Sequence, residues 1–205
     1  MNSLFEKLRF LGSEIVLGTL IAVLSVGTAY ASYQGAMADS EQNKYELEGM
    51  KALNDGNTEY LRINQDVSQD LTYFDNWYAN LGTNDELAEY YFDSMSDELG
   101  GLVQKMVNNQ NVTDEEWQAY DDAKFADAYA YFDASDAAFE KAGAYDEKGD
   151  QLQLVVLFMA LGLAFVAWAS LLKEESKLRV VFALFGIVML ILGVVTLLSV
   201  PAIAA

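Results

Sequence analysis

Three apolar runs, Ile15 to Ala31, Leu152 to Leu172 and Leu178 to Val200, hold one charged residue between them, Arg179 at the edge of the third. The second and third contain 21 and 23 residues. At a rise of about 1.5 Å per residue they cover roughly 30 to 35 Å, enough to cross a hydrocarbon core of about 30 Å. The first run is shorter, and it is expected to span with Tyr30 and Tyr33 as aromatic anchors at the interface.

A cleaved secretory signal peptide is the rival reading of that first run. Lys7 and Arg9 form a basic leader, the apolar stretch follows, and Ala29-Tyr30-Ala31 has the small-x-small form of a cleavage site after Ala31. Glu14 interrupts the approach to the apolar stretch and argues for a retained span.

Basic residues next to spans set orientation. Lys7 and Arg9 precede the first span, and Lys173, Lys177 and Arg179 cluster at the connection between the second and third. The positive-inside rule puts both segments in the cytoplasm. The expected organisation is a short cytoplasmic N-terminus (1–14), a transmembrane helix (15–33), an extracytoplasmic domain (34–151), a second span (152–172), a cytoplasmic loop (173–177), a third span (178–200) and an extracytoplasmic C-terminus (201–205). The expected localisation is therefore a cell membrane, crossed several times.

Between Gln34 and Gln151 there are 27 acidic and 7 basic residues, a net of −20, so the negative charge of the whole chain resides in this segment. That sign excludes nucleic acid as an expected partner, because phosphate binding needs positive charge. Cysteine and histidine are both absent, which removes disulfides, thiolate chemistry and the commonest metal ligand and general base.

The middle segment reads as helix throughout, with apolar residues recurring at three and four and no proline before Pro201. Four stretches are expected. The first continues the membrane helix to about Leu53 and ends in the turn cluster Asn54-Asp55-Gly56-Asn57. The second runs from about Thr58 to Leu81, with a coiled-coil heptad seam of Tyr60, Val67, Phe74 and Leu81 beside Asn64, Leu71 and Tyr78. Asn64 on that seam is expected to fix helix register rather than bind a ligand. The third starts near Asp85, presents Leu87, Tyr91, Met95, Leu99, Leu102 and Met106, and is weakened at Gly100-Gly101. The fourth begins with the capping box Thr113 to Glu116 and carries Phe125, Phe132 and Phe139 alternating with Ala128, Ser135 and Ala142, with weak points at Gly143 and Gly149. The fold class expected is all-α: three transmembrane helices and an extracytoplasmic antiparallel four-helix bundle with short connections.

No residue emerges as catalytic, cofactor-binding or metal-ligating. The carboxylates could attract Ca²⁺, but no calcium-loop spacing is present, and Asp121, Asp122, Asp133 and Asp136 fall inside an expected helix as a solvated face. A di-metal bundle centre would need Glu-x-x-His pairs. There is no nucleophile triad and no glycine-rich phosphate loop, so no enzyme is expected. Asn111-Val112-Thr113 matches a glycosylation sequon, and is read as a polar turn leading to the Thr113 cap. Small residues form ridges in the spans: Gly18, Ala22, Ser25 and Ala29; Ala160, Ala164 and Ala167; and Ala183, Gly186 and Gly193. Such ridges let helices approach closely in lipid, and they are expected to serve contacts within the chain first.

The segments Asn57-Thr58-Glu59-Tyr60-Leu61 with Asn64-Gln65, then Phe139-Glu140-Lys141, then Glu147-Lys148-Gly149-Asp150-Gln151-Leu152 running into the second span, resemble a group of prokaryotic three-span membrane proteins that carry no assigned activity. The resemblance implies a helical charged insert between the first span and a closely spaced pair. The insert is also similar in architecture to the outside sensing domain of four-helix bacterial chemoreceptors, although the connection Lys173 to Lys177 offers no output domain. The expected function is that of a non-enzymatic structural or accessory subunit or self-assembling scaffold, in contact with the bilayer and with a protein partner or further copies of itself. The alternative is a ligand-binding or sensory accessory protein.

Overall fold

The computed structural model describes residues 8–203, which are helical apart from short connections. A 3-10 turn, Arg9–Gly12, is followed by α1 (Glu14–Asn80), α2 (Asp85–Asp93), α3 (Asp97–Val107), α4 (Asp114–Leu171) and α5 (Lys177–Ser199). Lys7 lies outside the described residues. The chain divides into two compact units. One takes the residues up to Glu46 and those from Phe139 on, and the other is Leu47–Ala138.

In the first unit, α1, α4 and α5 are each long and apolar enough to cross a membrane. Only 17% to 28% of the most apolar window of each helix is buried, so most of that surface faces outward, as a helix bathed in lipid requires. The shared core comprises Leu17, Leu24 and Ala31 of α1, Leu152, Val155, Met159 and Val166 of α4, and Ala183 of α5. Glycines admit the bulky members. A Cβ added at Gly162 would stand 2.9 Å from Leu24 Cδ2, one at Gly193 would stand 2.8 Å from Met159 Cε, and one at Gly186 would collide with Val166. Rising numbers on α1 meet falling numbers on α4, so these two helices are antiparallel here.

The second unit holds the end of α1, then α2 and α3, then the start of α4. An antiparallel four-helix bundle is not shown, and the expected stretches are redrawn. No turn forms at Asn54-Asp55-Gly56-Asn57, because α1 passes straight through it. The glycine there serves close approach: a Cβ at Gly56 would lie 2.9 Å from the Phe132 ring and 3.0 Å from Tyr131 Cβ. Here glycine marks a helix crossing rather than a bend. α1 ends instead at Asn80, with Gly82 in the turn at φ +68°, a conformation that costs a Cβ-bearing residue free energy. The third expected stretch breaks at Ser94-Met95-Ser96 and not at Gly100-Gly101, which sit inside α3 with open space around them. Ser96 caps α3, and its hydroxyl accepts a hydrogen bond from the Leu99 N–H. α4 runs unbroken through Gly143 and Gly149.

The fourth start is as read. Thr113 Oγ1 accepts from the Glu116 N–H at 3.3 Å, and the Thr113 N–H donates to Glu116 Oε2 at 3.0 Å. Lys105 of α3 also pairs with that carboxylate. First the Lys105 hydrogen bond, then the Thr113 N–H, hold Glu116 below the usual carboxylate range.

Candidate functional site

The buried line of α1 in the second unit is Gly49, Gly56, Ile63, Asp70 and Trp77, one residue every seven. The heptad period is as expected, but the face is not. Tyr60, Leu71, Tyr78 and Leu81 are exposed, and Val67 and Phe74 flank the buried line. Asn64 Nδ2 donates to the Tyr60 carbonyl of its own helix. On α4 the small residues Ala128, Ser135 and Ala142 are buried and the phenylalanines lie beside them. Ser135 Oγ donates to the Gly49 carbonyl at 3.0 Å.

A carboxylate occupies the centre of this core. Asp70 is 6% exposed. Its Oδ1 accepts from the Ser96 N–H at 2.9 Å, and its Oδ2 accepts from the Ser96 hydroxyl at 2.5 Å and from the Tyr120 hydroxyl at 3.1 Å. One side chain thus ties α1 to the cap of α3 and to α4. Burial, and then the Asp70 charge, push the Tyr120 phenol up from its ordinary value. Lys124 lies over the Tyr120 ring and pairs with Glu98 at 2.9 Å. The surrounding apolar cluster includes Trp77, Met95, Leu99 and Val103. An open cleft of about 330 Å³ adjoins Asp70, lined also by Gln69, Tyr73 and Lys124. All three donors to Asp70 come from the chain itself, so the arrangement braces α1 against the start of α3 and against α4.

Asp121, Asp122, Asp133 and Asp136 are exposed along α4. Among the described residues no three acidic side chains converge in the manner of a metal centre. The asparagine of the sequon, Asn111, is exposed in the connection before α4, where Thr113 is engaged as the cap.

In the first unit one basic residue at a span end meets backbone. Arg179 is buried, and donates through Nε to the Gly12 carbonyl at 2.6 Å and through Nη1 to the Leu172 carbonyl at 2.7 Å. Arg179 thus joins the N-terminal turn, the end of α4 and α5, and it supplies donors to two carbonyls that lack helical partners. The three small-residue ridges part company. Ala183, Gly186 and Gly193 are buried within the chain, whereas Gly18, Ala22, Ser25 and Ala29 on α1 and Ala160, Ala164 and Ala167 on α4 are exposed. The expectation of contacts within the chain therefore holds for α5 alone. Residue type and spacing are visible in the sequence, but which face turns inward depends on where the neighbouring helices lie.

The fold defines an all-helical, membrane-associated protein with three candidate spans and a helical insert. Neither a protein family, nor a curated protein, nor a solved structure matches the chain.

Proposed function

We propose that the chain is a non-enzymatic membrane subunit that assembles with further copies of itself, with its acidic insert outside the cell and its N-terminal turn and α4–α5 connection in the cytoplasm. The observation that carries this reading is the pair of exposed small ridges on α1 and α4. Positions facing lipid gain nothing from being small, whereas a helix approaching another in lipid gains close backbone contact. The orientation is supported by Arg179 meeting Gly12, since both basic segments then belong to one side of the three helices.

The test is crosslinking in native membranes, followed by Ala22→Leu and Ala29→Leu. Oligomers are expected from the wild type and monomers from the double variant. Monomers alone from the wild type, with no co-purifying protein, would overturn the reading.

A further inference from the structure

A groove of about 490 Å³ opens in the first unit between α1 and α4. Its walls are small or apolar: Ala31, Gly35 and Ala36 on one side, and Val156, Leu157 and Ala160 on the other. Its mouth carries Asp39 and Gln153. Its position along the helices is informative. Ala31 ends the first apolar run, and Asp39 is the first charged residue beyond it, eight residues or about 12 Å further along the helix. The exposed rings of Tyr30 and Tyr33 mark the level where aromatic side chains settle at the membrane boundary. The groove therefore straddles that boundary, apolar toward the acyl region and charged toward the headgroups.

We propose that this groove binds one phospholipid with an amine headgroup, of the phosphatidylethanolamine type, its acyl chain against Ala36 and Leu157 and its ammonium beside Asp39. Charge selects the occupant. Asp39 is the only charged residue lining the groove, and its carboxylate makes no hydrogen bond or ion pair among the described residues. Gly149 gives it room: a Cβ there would stand 2.9 Å from Asp39 Oδ1, so the carboxylate lies close over the backbone of α4. A second copy is a poor occupant at this level, because it would set another Asp39 against the first. An anionic headgroup is repelled for the same reason. An ammonium is attracted in a layer where water screens charge less than in bulk.

This inference does not rest on self-assembly. The experiment is native mass spectrometry of the full-length protein in mild detergent, titrated separately with phosphatidylethanolamine and phosphatidylglycerol of the same acyl composition. The wild type is expected to hold one phosphatidylethanolamine about tenfold more tightly than phosphatidylglycerol. Asp39→Asn should bring the two within about twofold, and Gly149→Ala should weaken the preference while leaving the charge in place. Ala36→Trp, with its fold checked by thermal unfolding, should cost both lipids about tenfold or more by filling the groove. Equal retention of the two lipids by the wild type would overturn the proposal. So would a preference that survives Asp39→Asn, or an Ala36→Cys variant that forms disulfide-linked dimers in membranes. The same spectra report copy number, so monomers that keep the lipid would defeat the assembly reading and leave this one standing.

Discussion

The two units bring α1 and α4 together by different chemistry. In the membrane-associated unit the contact between them is apolar: Gly162 lies under Leu24 and Gly27 faces Met159, while the buried Arg179 is taken up by backbone carbonyls at the span ends. In the insert the buried line of α1 includes a carboxylate, held by three donors from α3 and α4. A surface in lipid is apolar whether or not it is buried, so burial drives no helix association there and shape must do it. In water the apolar residues Val67, Phe74 and Trp77 supply the driving force, and a satisfied polar centre can specify how the helices meet.

The largest effect expected from breaking this contrast is at Asp70. Replacing it with Leu leaves the Ser96 N–H, the Ser96 hydroxyl and the Tyr120 hydroxyl without their acceptor, at a cost of about 2 to 4 kcal/mol. Thermal unfolding of the full-length protein in detergent measures it, and hydrogen exchange should place the loss within residues 47–138. A loss spread equally over α5 would mean that the two units do not unfold separately.

The counterpart in the membrane-associated unit is Gly186→Leu, which forces a branched side chain onto Val166. Overpacking of this kind costs about 1 to 3 kcal/mol. Exchange should now rise in α5 and the facing part of α4, while the Asp70 brace stays protected. If Gly186→Leu were silent, the close approach of α4 and α5 would not be a stability determinant.

Tyr120 gives a smaller effect with a pH signature. Tyr120→Phe removes one hydrogen bond to a buried carboxylate, about 1 kcal/mol at neutral pH. The folded phenol is raised above its unfolded value, so its contribution is fully present below about pH 10 and is lost as pH rises through the folded value. The stability gap between wild type and Tyr120→Phe should therefore close, and then reverse, in strongly alkaline solution. A gap that stays constant from pH 8 to 12 would show that folding does not raise the Tyr120 phenol.

Much of this architecture is legible in the sequence. Run length and missing charge identify all three apolar helices, and the Thr113-x-x-Glu116 spacing identifies the start of α4 and its cap. The seam is harder to read, because periodicity is judged from apolar residues and the buried line of α1 contains Gly49, Gly56 and Asp70. With three of five members glycine or acidic, the flanking row of Tyr60, Val67 and Phe74 reads as the centre. Asp70 carries no local sign of its role: its partners are 26 and 50 residues away, and only the fold brings them together. The signal that could have exposed it is the seven-residue interval from Ile63 through Asp70 to Trp77, followed without regard to polarity.

The smallest predicted effect tests the misread turn directly. Within a helix, glycine to alanine is ordinarily worth about 0.5 to 1 kcal/mol of added stability, because the unfolded chain loses freedom. Gly101→Ala should deliver that gain, since nothing lies within 4 Å of the added carbon. Gly56→Ala receives the same backbone benefit but must displace the Phe132 ring and press on Tyr131 Cβ. Tyr131 Cβ is fixed to the backbone of α4 and cannot swing aside, so the helix itself has to move. The strain of about 1 to 3 kcal/mol should outweigh the gain and leave a net loss of up to about 2 kcal/mol. Opposite signs for the two variants in thermal unfolding are the expected result. If both were stabilising, Gly56 would not be a point of close approach between α1 and α4.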